Sequence, residues 1–300
     1  MSSYRVKLWN YPLFQIPLIL LGLCLVAAML FWLLGFGRPK VAVAIALDLS
    51  SSTYGEVSSF NAPGTILDRE VKAVEAYLQL NNEEILRNPN QVKVLGFGDT
   101  VKTLTGNFEA NSNKVATSLS EALKTEGLAD EIGSGTDINL AIKTGINALR
   151  TVPKRCRELI LVTDGIANVS PGVIVDASAN RVKINSVVIG QEALALRGAS
   201  FATGGIYLSG DSNNLSAFFT DNFFSTFNSN LKWIIFWLGL AWICLMWTLV
   251  LPLDRWLFQG LFKMRIDQSG KLAIANALFW TVATLSAIWR FWGIPFLSGC

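Results

Sequence analysis

Side chains with oxygen atoms stand at three notable places in this chain. Two of these places directly follow apolar segments, and the third is a glycine-rich loop before a segment with helical spacing. The apolar run Val41–Leu47 leads directly into an Asp-x-Ser-x-Ser sequence, whose alternation points three polar side chains in one direction. A threonine precedes the periodic segment 138–149, and an aspartate follows the apolar run that ends at Val162. Two carboxylates and three hydroxyls, without nitrogen or sulfur, suit Mg²⁺ or Mn²⁺ and disfavour zinc. The predicted metal ligands are Asp48, Ser50, Ser52, Thr136 and Asp164.

Strands and helices in alternation must hold these residues together. Residues 41–230 contain apolar runs typical of buried strands, separated by segments in which apolar residues recur at helical spacing. This alternation predicts an α/β fold, a doubly wound and mostly parallel sheet with helices on both faces. Ligands of such sheets bind at the carboxyl ends of strands near a topological switch point. The predicted strands are 41–47, 92–97, 101–104, 158–162, 183–189 and 205–208, and the predicted helices are 66–78, 111–123, 138–149, 171–180 and 215–227.

The last of these helices is rich in phenylalanine. Its apolar residues form one stripe along the helix, and only a few polar residues separate it from the next apolar run. We expect the stripe to face the core of the domain, with a surface for a partner protein as the alternative. The stripe consists of Leu215, Phe218, Phe219, Phe223, Phe224 and Phe227.

The chain as a whole is too apolar for an ordinary soluble protein. Its 300 residues are 51% hydrophobic and 16% charged, against roughly 25% charged residues in a typical globular chain. Leu18–Phe36 has 19 residues without a charge, which at about 1.5 Å per residue is enough to cross a bilayer core. Two further apolar runs predict a multi-pass integral membrane protein in a lipid bilayer. The predicted parts are an N-terminal tail 1–17, transmembrane helices 18–36, 233–251 and 272–290, the domain 41–230, a loop 252–271 and a C-terminal tail 291–300.

Lysine and arginine residues near the predicted spans indicate an orientation. The side shared by the N-terminal tail and the loop 252–271 has six of them, and the other side has four. We therefore expect the tail and the loop to be cytoplasmic and the middle domain to be extracytoplasmic. The six are Arg5, Lys7, Arg255, Lys263, Arg265 and Lys271, and the four are Arg38, Lys40, Lys232 and Arg290.

The order of the predicted ligands resembles the metal-ion-dependent adhesion site (MIDAS) of the von Willebrand factor type A (vWA) domain. That site has the pattern D-x-S-x-S, then a threonine, then an aspartate commonly followed by glycine, and all five positions are filled here. One departure is Ser51, where relatives often have glycine. The resemblance implies that Ser50, Ser52 and often Thr136 contact the metal directly, while the aspartates act partly through water. It also implies an open coordination position for a carboxylate of a partner protein.

Other interpretations of these polar residues are possible. Ser50–Thr53 is also typical of a polar turn in which Asp48 caps the structure that follows, but this leaves the threonine and the second aspartate of the pattern unexplained. Asp99 and Asp137 are further carboxylates near the predicted site, and we interpret them as turn or helix N-cap residues.

Catalysis and nucleic-acid binding are disfavoured. The chain has no histidine, which excludes a Ser-His-Asp triad and a histidine-ligated metal. It lacks the glycine-rich patterns of dinucleotide folds and P-loops, and Ser50 stands where a haloacid-dehalogenase phosphatase needs a second aspartate. A net charge of +3, without a basic stripe, does not indicate a nucleic-acid partner. We therefore expect a protein that is not an enzyme.

Two functions from different classes are consistent with this sequence. The layout resembles bacterial Bat-type membrane proteins, which implies a bacterial cell membrane and a metal-dependent protein-binding or complex-assembly module that captures a partner's Asp or Glu. Bat-type proteins are associated with cytoplasmic MoxR-type ATPases, which an extracytoplasmic domain could not reach. The alternative is a fixed subunit of a larger membrane complex, whose metal site is structural or vestigial. Polar residues of the third span that could contact other subunits are Asn276, Thr281, Thr284 and Ser286.

Overall fold

Six strands form one sheet in the order β3-β2-β1-β4-β5-β6. The computed structural model describes residues 8–82, 88–165 and 168–296. All neighbouring strands are parallel except β3, which runs antiparallel to β2 at one edge. The chain order reverses between β1 and β4, which makes their carboxyl ends the switch point of the sheet. The strands are β1 (Val41–Asp48), β2 (Gln91–Phe97), β3 (Val101–Thr103), β4 (Cys156–Thr163), β5 (Val182–Ile189) and β6 (Tyr207–Gly210).

Helices connect the strands, as a parallel sheet requires. This α/β domain is one compact unit, Pro39–Asn228, and the segments on either side of it form a second unit. The mostly parallel sheet with its helices is consistent with a vWA-like fold. The α-helices of the domain are α2 (Ser51–Tyr54), α3 (Ile66–Asn81), α4 (Ser112–Leu123), α5 (Leu128–Ile132), α6 (Ile138–Arg150), α7 (Pro171–Ala179), α8 (Leu194–Thr203), α9 (Leu215–Ala217) and α10 (Ser225–Phe227).

β1 is buried along its whole length, and its two faces differ. Alternate side chains of the strand belong to two separate apolar cores. Val43, Ile45 and Leu47 pack into the core that includes inward residues of α3, while the alanines at 42, 44 and 46 face the core that includes α6. The solid apolar run in the sequence therefore reflects a central strand that is covered on both sides.

The phenylalanine-rich segment faces the core, as expected. Between α9 and α10 the chain forms a π-helix, Phe218–Phe224. Phe219 and Phe223 are fully buried, and Phe223 stacks on Phe227 with ring centroids 5.8 Å apart. The wider turn keeps residues four positions apart on one face, so Phe219 and Phe223 pack edge to face, and Phe219 also contacts Tyr77 of α3.

Among the described residues, the segments outside the domain contain three helices that are long and apolar enough to cross a membrane. The first, α1 (Pro12–Leu34), begins earlier than residue 18, at a proline, which the first turn of a helix tolerates because no backbone N–H is needed there. The second apolar helix continues beyond Pro252 to Leu261 through a π-helical stretch, so most of the predicted loop 252–271 is helical. Leu253 N donates to Leu249 O at 2.8 Å, which carries the helix past the proline. The remaining helices are α11 (Leu231–Thr248), α12 (Val250–Pro252) and α13 (Ile266–Phe291).

Helix α8 and the start of β6 differ from the sequence prediction. The sequence pattern gave no helix at 194–203, because Leu194 and Phe201 are exposed and interrupt the amphipathic pattern. The predicted strand 205–208 begins two residues later, at Tyr207. Gly205 instead completes the end of α8 by donating its N–H to Ser200 O at 2.8 Å. A β-carbon at Gly205 would lie 2.0 Å from Ile184 O, so this close crossing requires glycine.

Candidate metal centre

Asp48 is the last residue of β1 and lies at the switch point of the sheet. Its carboxylate is fully buried, and each of its two oxygens accepts one hydrogen bond. Ser50 N donates to Oδ1 at 3.0 Å, and Thr163 Oγ1 donates to Oδ2 at 2.6 Å. Since Thr163 ends β4, the two central strands hold this carboxylate between them.

Ser50 and Ser52 connect Asp48 to the second predicted aspartate. Ser50 is the N-cap of the short helix α2, with an extended backbone, and Ser52 is the second residue of that helix. Their Oγ atoms are 2.9 Å apart, and Ser52 Oγ donates to Asp164 Oδ1 at 2.8 Å. Asp164 follows β4 directly. Four of the five predicted ligands therefore form one hydrogen-bonded group.

Thr136 lies beside this group without a hydrogen bond to it among the described residues. A β-carbon placed on Gly165 would lie 3.7 Å from Thr136 Cγ2, which places the threonine next to the Asp164–Gly165 turn. Thr136 is half-buried and comes two residues before α6. The loop that carries it is tied to the start of α2, because Ser51 N donates to Ser134 O at 3.3 Å. The structure thus brings all five predicted residues to one edge of the sheet.

The two other nearby aspartates have structural roles, as interpreted from the sequence. Asp137 is the N-cap of α6 and accepts a hydrogen bond from Leu140 N at 2.9 Å. Asp99 accepts one from Gly135 N at 3.0 Å. A β-carbon at Gly133 or Gly135 would lie within 2.4 Å of the Asp99 carboxylate, so glycine at both positions lets the loop wrap around it. Asp99 therefore holds the loop that carries Thr136.

Sequence reasoning missed two residues of the site. Thr163 stands opposite Asp48 in the parallel register of β1 and β4, because Leu47 pairs with Val162. Glu70 lies on the inward stripe of α3, between Leu67 and Val74 at helical spacing. It is fully buried, and neither of its carboxylate oxygens makes a hydrogen bond. A glutamate on an otherwise apolar helix face was the signal in the sequence that pointed to it.

The site contains three acidic side chains, and none of them pairs with a basic side chain among the described residues. Burial raises the pKa of Asp48 to about 6 from its ordinary 3.8, although the hydrogen bonds from Ser50 and Thr163 lower it. Burial, and then the charges of Asp48 and Asp164, raise the pKa of Glu70 well above its usual range. The group therefore lacks a positive charge.

The oxygen atoms of Ser50, Ser52 and Asp164 lie close enough together to contact one ion. The Ser50–Ser52 and Ser52–Asp164 oxygen distances are 2.9 and 2.8 Å, the usual length of a hydrogen bond between oxygens. Neighbouring ligands of an octahedral ion, with metal–oxygen bonds of about 2.05 Å at right angles, lie about 2.9 Å apart. Among the described residues no three Asp, Glu, Cys or His side chains converge closely enough to bind a metal alone, so the hydroxyls would have to serve as ligands.

No protein-family model and no curated protein sequence matches this chain. Solved structures align with 61% of it at low sequence identity. BatB from Bacteroides thetaiotaomicron is 16% identical, with 97% of that chain covered and a TM-score of 0.46. An aerotolerance-related membrane protein from Bacteroides fragilis NCTC 9343 is 16% identical, with 96% covered and a TM-score of 0.46. Proximal thread matrix protein 1 from the mussel byssus, with a zinc-occupied MIDAS motif, is 17% identical, with 47% covered and a TM-score of 0.44. The chain is thus similar in part to each of these proteins.

Proposed function

We propose that this chain is a membrane-anchored, metal-dependent protein-binding module. A divalent cation, Mg²⁺ or Mn²⁺, bound by Asp48, Ser50, Ser52, Thr136 and Asp164, captures an acidic side chain of a partner protein. The observation that supports this proposal is the convergence of the Ser50, Ser52 and Asp164 oxygens beside the buried Asp48, at the carboxyl ends of the two central strands. The three long apolar helices would anchor the module in a bilayer, with the domain on the extracytoplasmic side.

The burial of the site favours an open position on one side. Asp48 and Ser50 are buried, whereas Ser52 is exposed and Thr136 and Asp164 are half-buried. Protein atoms therefore enclose an ion from below and leave its outer side to solvent. Because three of the five ligands are neutral hydroxyls, the ion keeps part of its charge and attracts a carboxylate. The proposal includes no catalytic step.

Metal binding by the full-length chain in detergent tests the site itself. We expect calorimetry to show Mn²⁺ binding to the wild type and a loss of at least about tenfold in affinity for Ser52→Ala, which removes the hydroxyl between Ser50 and Asp164. Ser51→Ala is the matched control, because Ser51 lies in the same motif but bonds only to Ser134 O. Equal affinities of Ser52→Ala and Ser51→Ala would refute the assignment.

Co-purification from native membranes then tests the partner. If a partner carboxylate completes the coordination, capture by the wild type is lost with a chelator and is absent for Ser52→Ala. Capture that resists both the chelator and Ser52→Ala contradicts the proposed mechanism and favours the second candidate function below.

The second candidate is a fixed subunit of a larger membrane complex, and one feature of α13 favours it. Asn276 and Ser286 make no side-chain hydrogen bond to another described residue, and Ser286 is exposed on the helix surface. Polar groups in an apolar span gain from a partner helix. Thr281 does not contribute to this argument, because it already accepts a hydrogen bond from Trp247 Nε1 at 3.1 Å.

A further inference from the structure

Glu70 lies close enough to Asp48 and Asp164 for their charges to act on it. It belongs to α3, which begins at Ile66 beside the carboxyl edge of the sheet, and it is the residue of the inward stripe in the second turn. Leu67 and Val74, one turn to each side, pack in the apolar core together with Leu47 of β1. The inward face of α3 is thus apolar on both sides of Glu70, and the carboxyl group of Glu70 interrupts it near the end of β1.

The carboxyl group has no hydrogen-bond partner there. Glu70 is 0% exposed, and both side-chain oxygens are buried without a hydrogen bond. The backbone amide of Asp48 is close enough to lower the pKa of Glu70 slightly, but it does not complete a hydrogen bond in distance and angle. Burying a carboxyl group without partners is unfavourable, and an apolar side chain would be favoured here if packing alone mattered.

The charges around Glu70 identify what it lacks. The two ionisable groups that raise its pKa electrostatically are Asp48 and Asp164, both predicted metal ligands. No cation among the described residues pairs with any of the three. A divalent ion held by the Asp48 group would supply the missing positive charge. Because the three carboxylates do not converge as direct ligands, Glu70 would act from behind the ligands, across the end of β1.

We propose that Glu70 is a third carboxylate of the cation site, a positioning residue that raises the affinity for the divalent ion through its charge without ligating it. This inference rests on the proposed function, since it requires the ion, and it adds a residue that the D-x-S-x-S pattern does not contain. It means that the site has more negative charge than its five ligands provide.

Mn²⁺ titration of the full-length chain in detergent tests this role with charge-altering variants. Glu70→Gln keeps the size and removes the charge, and we expect Mn²⁺ binding about 10- to 100-fold weaker than in the wild type. Glu70→Asp keeps the charge on a shorter side chain, and its affinity should lie closer to the wild type than that of Glu70→Gln. A purely structural role predicts the reverse order, because Gln has the same shape as Glu. Glu75→Gln, an exposed position on the same helix, is the matched control and should bind like the wild type.

The outcomes separate the two proposals. Wild-type binding that Ser52→Ala weakens and Glu70→Gln leaves within about twofold overturns the role of Glu70 and keeps the metal site. A wild type that binds no Mn²⁺ overturns both. If Glu70→Gln does not fold, as judged by hydrogen exchange of β1, Glu70→Asp decides: affinity within about tenfold of the wild type supports the proposal, and a larger loss overturns it. Hydrogen exchange in chelator gives a second measurement, in which Glu70→Gln should protect β1 more strongly than the wild type does.

Discussion

Removal of divalent cations should make the stability of the domain fall as the pH rises, and Asp48 allows the size of this effect to be worked out. Its pKa is about 6 in the folded protein against an ordinary value of 3.8. A carboxyl group whose pKa is raised by folding stabilises the folded state while it is protonated. That contribution is complete below pH 3.8 and is lost as the pH rises through about 6. The difference corresponds to about 3 kcal/mol, or roughly 150-fold in the opening equilibrium.

The variant Asp48→Asn isolates this contribution. Asparagine does not ionise, and it keeps both contacts of the site because the Thr163 hydroxyl can accept a hydrogen bond as well as donate one. Groups elsewhere in the chain, such as Asp68 and Glu109, titrate equally in both proteins and cancel in the comparison. In chelator, the difference in opening free energy between the wild type and the variant should therefore change by about 2.4 kcal/mol between pH 4 and pH 7, because part of the titration lies below pH 4. Saturating Mg²⁺ should remove most of this change, because the ion binds the folded state and compensates the carboxylate.

Hydrogen exchange of β1 and β4 peptides is the suitable assay. All ten tryptophans lie outside 39–228, so tryptophan fluorescence does not report on the α/β domain. Comparing the two proteins at each pH cancels the intrinsic exchange rate of the amides. The reasoning is refuted if the wild type and Asp48→Asn show the same pH dependence in chelator, or if the wild type becomes more stable relative to the variant as the pH rises.

Two further predictions concern the open position and the orientation. Thr136→Asp adds a negative charge beside Asp164, so calorimetry should show tighter metal binding and pull-down should show weaker partner binding. Thr136→Ala should weaken both. Undiminished partner capture by Thr136→Asp would contradict an open coordination position. A cysteine introduced at the exposed position Asn111 should react with a membrane-impermeant maleimide on intact cells or spheroplasts, and one introduced at the exposed position Gln268 should not. The opposite pattern would place the domain in the cytoplasm, within reach of a cytoplasmic ATPase.

The sheet and the convergence of the candidate site residues could be predicted because strong local signals define them. Val41–Asp48 is uniformly apolar up to its last residue, which is typical only of a central strand, and a polar cluster after such a strand must lie at its carboxyl edge. The parallel register then determines that the end of β4 stands beside it, where Asp164 follows. The position of these residues at the ends of neighbouring strands was therefore enough to predict that they lie close together.

Residues that depend on tertiary contact could not be predicted with the same reasoning. Helix α8 carries exposed Leu194 and Phe201, so its apolar pattern does not distinguish inside from outside. The continuation of the second apolar helix beyond Pro252 depends on a π-helical hydrogen-bond pattern that proline normally disfavours. Glu70 was missed for a different reason: glutamate is common on helices, and its place between Leu67 and Val74 is a weak signal until the structure shows the side chain fully buried.

Metal affinity and partner affinity make opposite demands on this site. Each added carboxylate strengthens the hold on the ion, but it also neutralises the charge that must attract a partner's acid. Asp48 and Glu70 are both fully buried, whereas Ser52 is exposed and Thr136 is half-buried. In the proposed site the acidic groups would therefore lie behind the ion, and neutral hydroxyls would surround the approach of a partner. A third carboxylate on the buried side, Glu70, would hold the cation more firmly. It would also keep its repulsion of the partner's acid small, because it lies on the far side of the ion. Reversible capture through a metal requires this distribution of charge.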